Sequence, residues 1–315
     1  MKFADTILEM RDLNVIFPTS DGDVCAVDRV DLRISAGETF GLIGESGSGK
    51  TVLGMAALRL LPSYARVGGE ILFGGRDLLL LDEEDMRQVR GGEIAMVLQN
   101  TATSLNPVVS VGDQIAWAVG LRRVLCRDAA REEAVRMLDA VRIPEPVRRA
   151  KEYPHQFSGG MRERAMIALA LACDPSFIIA DEPTAGLDAA VKWEVVEILK
   201  RTFADRGMLF VTHDLEVAAE VSDRIGVMYA GELVEYGPAD LLLCDPLHPY
   251  TAALLASLPE GGFVPIPGVS PSLISPPVGC HFHPRCHRAG PACRAAHPEM
   301  REYGEGHFVR CLLYD

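Results

Sequence analysis

Gly44-Glu45-Ser46-Gly47-Ser48-Gly49-Lys50-Thr51 has the spacing G-x-x-x-x-G-K-T, which can wrap a triphosphate. A short apolar run at 39–43 precedes it and a helical pattern at 50–61 follows, the strand–loop–helix order such a loop needs. Its glycines let backbone N–H groups turn toward phosphate oxygens, and the helix N-terminus adds the positive end of its dipole. In that setting Lys50 reaches the β and γ phosphates and the Thr51 hydroxyl reaches Mg²⁺. Alone, the loop specifies NTP binding and would serve a kinase, a GTPase or a helicase equally well.

A second set of groups completes this chemistry. Phe177-Ile178-Ile179-Ala180-Asp181-Glu182 is an apolar strand ending in two acids. Beside a phosphate loop, Asp181 would hold Mg²⁺, directly or through water, and Glu182 would act as general base or positioner for the attacking water. His213, after another apolar strand, is a candidate contact to the γ-phosphate. Phe157-Ser158-Gly159-Gly160-Met161-Arg162 opens a helix that runs to 173, and Ser158, Gly159 and Gly160 make a second anion-binding helix start. Two anion sites far apart in sequence suggest two half-sites, the second meeting a phosphate held by another subunit.

These groups need a rigid frame. Strand patterns at 7–17, 24–34, 39–43, 70–73, 94–98, 177–180, 208–212 and 224–229 alternate with helical patterns, predicting an α/β domain with a mainly parallel sheet covered on both sides. From about 101 to 154 the pattern turns helical, with 111–121 and 128–143 clearest and Asp128 as N-cap, and reads as an insertion. After about Asp245 prolines break every long element except a helix at 248–258. The expected division is a nucleotide-binding domain at 1–245 and an irregular C-terminal region at 246–315, held by something other than its own core. The phosphate-loop motif occurs once, so one motor domain is expected.

Composition narrows the setting. The chain has 315 residues, 48% apolar and 24% charged, enough for one large core or two modest ones. A net charge of −13 repels phosphate backbones, so no nucleic-acid partner is expected. No apolar run is long enough to span a bilayer. The charges Asp5, Glu9, Arg11 and Asp12 do not suit a signal peptide, which points to the cytoplasm, with membrane association through partner subunits.

At this point the chain resembles the ATP-binding cassette (ABC) ATPases over nearly its whole length. Residues 44–51 look like Walker A, 157–160 like the signature motif and 177–182 like Walker B. Ala185-Gly186-Leu187-Asp188 resembles the D-loop, His213 the switch histidine and Gln99 the Q-loop glutamine that senses Mg²⁺ and faces the permease. The six elements stand in family order. The resemblance implies a RecA-like P-loop NTPase core with an inserted helical subdomain. It also implies that two such subunits close head to tail over two ATP molecules. Lys50, Thr51, Gln99, Asp181, Glu182 and His213 would serve one ATP, with Thr51, Gln99 and Asp181 around Mg²⁺. Ser158, Gly159 and Gly160 would reach the partner's ATP. Phe17 is the candidate adenine-stacking ring, or equally a core residue.

The nearest likeness is to the dipeptide/oligopeptide/nickel importers. It rests on Tyr153-Pro154-His155-Gln156 running into the signature, on Pro246-Leu247-His248-Pro249-Tyr250-Thr251, and on Pro267-Gly268 through Cys286. Glu163 stands where that family usually has Gln, and Ala185-Gly186 replaces Thr-Ala. Both fall where two ATPase subunits would meet. The likeness implies a second ATPase subunit, two transmembrane permeases, an extracytoplasmic solute-binding protein, and a position on the cytoplasmic face of the membrane.

Cys280, Cys286, Cys293 and Cys311 crowd the last 36 residues. In a reducing compartment they read as metal ligands rather than disulfides. Four thiolates suit zinc or an iron–sulfur cluster, and the spacing lacks the close C-x₂-C pairs common in zinc sites. The resemblance favours a [4Fe–4S] cluster, with Zn²⁺ as the alternative. His281, His283, His287 and His297 lie nearby as substitute ligands or bystanders. The leading expectation is an ATPase driving peptide uptake. The alternatives are uptake of nickel or another metal chelate, a non-transport ABC ATPase of translation or DNA repair, and an iron–sulfur protein with a vestigial ATPase.

Overall fold

The computed structural model describes residues 6–99, 104–122, 125–259, 261–304 and 306–314. Asp5 and Thr101, the expected start of the helical block, lie outside the described residues. The chain divides into two compact units, 1–80 with 210–315, and 81–209.

The first unit begins with a long hairpin, β1 (Thr6–Thr19) and β2 (Gly22–Ser35). Leu8, Met10, Leu13 and Val15 of β1 are buried. The step from Met10 to Leu13 breaks strict alternation at a bulge, where Asp12 takes a positive φ of 46°. β3 (Thr39–Ile43) leads into the phosphate loop and the helix Lys50–Ala57. That helix stops four residues short of the expected 50–61. β4 (Arg66–Phe73) and β5 (Arg76–Asp77) complete an antiparallel sheet of order β2-β1-β4-β5.

The second unit contributes β6 (Ile94–Val97), parallel to β7 (Phe177–Asp181). Every residue of β7 is buried, as expected for a strand covered on both faces. Between them lie the helices Val111–Arg122 and Arg127–Ala140. They are tied by the Arg131–Asp113 ion pair, Nη2–Oδ1 2.8 Å. The second of these helices starts before the expected Asp128: Cys126 is the N-cap, and Asp128 sits in the first turn, where its carboxylate still meets the positive helix end. The helices Gly159–Leu171 and Ala189–Thr202 follow, capped by Ser158 and Asp188.

β8 (Gly207–Val211) begins in the second unit and ends in the first. The first unit then resumes with the helix Leu215–Val221, β9 (Arg224–Tyr229) and β10 (Glu232–Pro238). β9 runs parallel to β3 and antiparallel to β10.

The C-terminal stretch is irregular in backbone, as its prolines predict, yet it is built into this unit. The helix Pro249–Ala256 buries Tyr250 against Tyr229 and Phe282, with ring centroids at 4.5 and 5.4 Å. Tyr250 and Phe282 are 0% and 2% exposed. Two short strands, β11 (Arg301–Glu302) and β12 (Phe308–Val309), extend the sheet from β10, with Glu235 paired to Val309. No helix among the described residues is long and apolar enough to cross a membrane.

Candidate nucleotide site and thiol cluster

The phosphate loop is wedged against β9 and β2. Gly44 has a φ of 149°, and a Cβ there would lie 2.2 Å from the Met228 carbonyl oxygen. At Gly49, φ 105°, a Cβ would lie 2.2 Å from the Ala26 carbonyl oxygen. Only glycine fits both the conformation and the space. Lys50 is buried and donates to the carbonyl oxygens of Gly44 and Glu45 at 2.8 and 3.0 Å, which folds its ammonium back over the loop. Gly231 N–H donates to the Ser48 carbonyl oxygen at 3.1 Å. Ser46 and Gly47 form the exposed tip, and Thr51 is half-buried in the first helical turn.

Glu45 carries further bonds. Its carboxylate accepts two parallel bonds from Arg285, at 2.8 and 2.9 Å, and one from the Ser270 hydroxyl at 2.5 Å. Its backbone N–H donates to the Tyr250 hydroxyl at 3.0 Å. Hydrogen bonds from Arg285 hold the Glu45 carboxyl below the usual carboxylate range despite burial. Arg285, its pKa raised by the same pairing, also donates to the Pro267 carbonyl oxygen and the Tyr229 hydroxyl. No periodicity in the Pro-rich tail marks Arg285, Ser270 or Tyr250 as partners of the loop.

The same unit holds His213 and Phe17. His213 is exposed just beyond the end of β8, and Asp214 caps the next helix by accepting from Val217 N–H. Phe17 is half-buried at the end of the β1–β2 hairpin, edge-on to the exposed Tyr64 at 6.2 Å.

The second unit holds the other groups. Asp181 ends β7 and is 1% exposed. Glu182 is 8% exposed and takes a φ of 50°, a left-handed conformation that is costly for a residue with a Cβ and turns the chain sharply off the strand. Its carbonyl oxygen accepts from Ala185 N–H at 3.1 Å, tightening the turn into residues 185–188. Gln99 is exposed after β6. Ser158 and Gly159 are exposed at a helix start whose Ser158 hydroxyl accepts from Met161 N–H at 3.3 Å. Gly160 is buried under Val191.

Cys280, Cys286, Cys293 and Cys311 line one small cavity, together with Phe282 and Leu312. Gly279, φ 79°, lets Cys280 lie against the backbone of Cys293, and Cys280 N–H donates to the Cys293 carbonyl oxygen at 2.9 Å. Burial pushes the Cys280 thiol up to about 12 and raises Cys286 and Cys311 as well, with neighbouring thiols adding to the shift. An all-sulfur donor set in a partly apolar enclosure, costly to ionise alone, fits a thiolate-bound metal group. His283 also lines this cavity, and His287 is exposed. His281 and His297 gather elsewhere, on Glu232.

Known proteins show the same arrangement of segments. The family described as ABC transporter matches residues 27–185, and the oligopeptide/dipeptide transporter C-terminal region matches residues 234–293. The oligopeptide transport ATP-binding protein OppD of Escherichia coli is 44% identical over 98% of this chain and 94% of its own length. The dipeptide transport ATP-binding protein DppD of Bacillus subtilis is 42% identical over 99% and 96%. Among solved structures, the dimeric bacterial ABC transporter cassette MJ0796 covers 74% of this chain and 99% of its own, with a TM-score of 0.66 and 26% identity. The cbiO1 subunit from Clostridium perfringens covers 76% and 92%, with a TM-score of 0.64 and 26% identity. The chain belongs to the ABC transporter family, and its fold is that family's α/β ATP-binding cassette.

Proposed function

We propose that this chain is the ATP-hydrolysing subunit of an ABC importer that powers uptake of dipeptides or oligopeptides. The observation that carries this reading is near-full-length similarity to OppD and DppD together with the matched C-terminal region at 234–293. Two subunits close head to tail. Residues 44–51 wrap the phosphates of one ATP, with Lys50 on the β and γ phosphates. Thr51, Gln99 and Asp181 hold Mg²⁺. Glu182 accepts a proton from the attacking water, His213 contacts the γ-phosphate, and Phe17 stacks on adenine. Ser158, Gly159 and Gly160 meet the ATP held by the partner, a role suited by the exposure of Ser158 and Gly159 at that helix start. The functional division is a cassette at 1–245, with its helical subdomain at about 101–154, and a C-terminal region at 246–315.

Closure of the ATPase pair drives two permease subunits between inward- and outward-facing states, fed by an extracytoplasmic solute-binding protein. The subunit sits on the cytoplasmic face of the membrane. The four cysteines hold a [4Fe–4S] cluster, which fastens the Pro-rich segment by linking four points of one chain. Iron and acid-labile sulfide in anaerobically purified protein test the cluster, and zinc at one equivalent without iron would overturn it. Cargo is tested by uptake into vesicles carrying the assembled complex. ATP-dependent peptide uptake is expected, and uptake of a nickel chelate without peptide uptake would contradict the reading.

A further inference from the structure

Glu232, His281 and His297 converge although 65 residues separate the first from the last. Glu232 opens β10 directly after the tight turn at Ala230-Gly231 and is 2% exposed. His297 Nε2 lies 2.5 Å from one carboxylate oxygen of Glu232, and His281 Nδ1 lies 3.3 Å from the other. The two imidazole nitrogens and the carboxylate all fall within 4.8 Å of one another. His281 is buried and His297 half-buried, so the three donors are shielded on one side and reach the surface at His297. His281 and Cys280 are chain neighbours serving different clusters: Cys280 lines the thiol cavity, while His281 turns to Glu232 and the Ala230 carbonyl oxygen.

A carboxylate buried this deeply needs a cation. Among the described residues the arginine that approaches it is Arg29, whose Nη2 lies 3.7 Å from Glu232 and 3.5 Å from His297 Nε2. Arg29 has another partner: its Nε and Nη2 donate to Asp28 at 3.1 and 3.4 Å, and its side chain is 48% exposed. An ion at Glu232 would require Arg29 to turn away toward Asp28 and solvent, which its exposure allows. Two imidazoles and one carboxylate then remain, the nitrogen–oxygen donor set that binds a zinc-class divalent ion with one position left for water.

We infer that Glu232, His281 and His297 bind a divalent zinc-class ion at a second metal site, separate from the four cysteines. The ion joins β10 to two points of the C-terminal segment. Gly231, next to Glu232, donates to the phosphate loop at Ser48, so the site anchors the turn on which that loop rests.

The test is metal content of the full-length protein after loading with excess Zn²⁺ and dialysis, for the natural sequence, His297→Gln and Cys286→Ser. The expected result is one zinc equivalent that persists in Cys286→Ser and disappears in His297→Gln, with affinity lower by at least roughly tenfold. No retained zinc in the natural sequence would overturn the inference. So would zinc lost in Cys286→Ser and kept in His297→Gln. Arg29→Ala keeps all three donors, which guards against a folding failure in the histidine variant. It should tighten zinc by roughly fivefold or more, because it removes a competing positive charge. Unchanged or weaker zinc affinity in Arg29→Ala would show the cluster to be an ion-pair network alone.

Discussion

Arg285 and Glu45 stand 240 residues apart in sequence and form a bidentate ion pair, with Nη1–Oε2 at 2.8 Å and Nη2–Oε1 at 2.9 Å. Their side chains are 6% and 25% exposed. The second residue of the phosphate loop is therefore held by a residue adjacent to the thiol Cys286. Arg285→Gln removes both parallel bonds and leaves the Glu45 carboxylate to water and Ser270. ATP affinity should fall by roughly tenfold, about 1.4 kcal/mol, while hydrolysis at saturating ATP changes less. Nucleotide titration of the two proteins checks this, and equal affinities would separate the pair from nucleotide binding.

The same pair sets a pH dependence. Glu45 titrates below its ordinary value of 4.5, first because of Arg285's hydrogen bonds. A carboxyl lowered on folding contributes stability that is fully present above its unfolded value and is lost as pH falls through the folded value. The Arg285-dependent part of ATP affinity should thus stay flat above the ordinary value and decline only below it. Arg285→Gln should lack that acid limb. Affinity profiles of the two proteins that superimpose would contradict the assignment.

Stripping the thiol cluster should act at a distance. Without the proposed metal group, the segment carrying Arg285 and Cys286 keeps only its non-covalent ties, chiefly the packing of Phe282 on Tyr250 and the Arg285–Glu45 pair. Chelation under reducing conditions should lower the melting temperature by roughly 5 °C. It should also weaken ATP binding, because the Glu45 clamp loosens. Calorimetry with and without chelator measures the first effect and nucleotide titration the second.

Two adjacent glycines should respond differently to one added methyl. At Gly160 a Cβ would lie 2.3 Å from Val191 Cγ1, so Gly160→Ala should destabilise the protein by about 1–3 kcal/mol. At Gly159 the nearest atom is Leu187 Cδ2 at 4.0 Å, so Gly159→Ala should fold normally. Any loss of ATPase activity in Gly159→Ala then reports crowding at the approach of the partner's ATP. Denaturant unfolding of both variants separates the two cases.

How much was legible depended on sequence distance. The phosphate loop and the acid pair each lie on one strand and the turn after it, so motif spacing and an apolar run in the sequence mark both places. The Glu182 backbone conformation could not be read, because glutamate gives no signal of a positive φ. The Arg285–Glu45 pair joins chain segments with no shared periodicity. β11 and β12 are two residues each, too short for alternation to show, and prolines suggested a loose tail where Tyr250 and Phe282 supply buried anchors. Proximity in sequence alone groups the histidines of the tail with the cysteines. Glu232, on a strand that sequence periodicity did not reveal, draws two of them away.

Glu182 is the proposed base for ATP hydrolysis, placed at the end of β7 next to the buried Asp181. The most direct measurement is peptide-dependent ATP hydrolysis and ATP binding by the assembled complex carrying Glu182→Gln, which keeps the side-chain shape and removes the base. Binding should be retained, while hydrolysis falls by roughly a hundredfold or more. Full turnover in that variant, with peptide still stimulating it, would contradict the account.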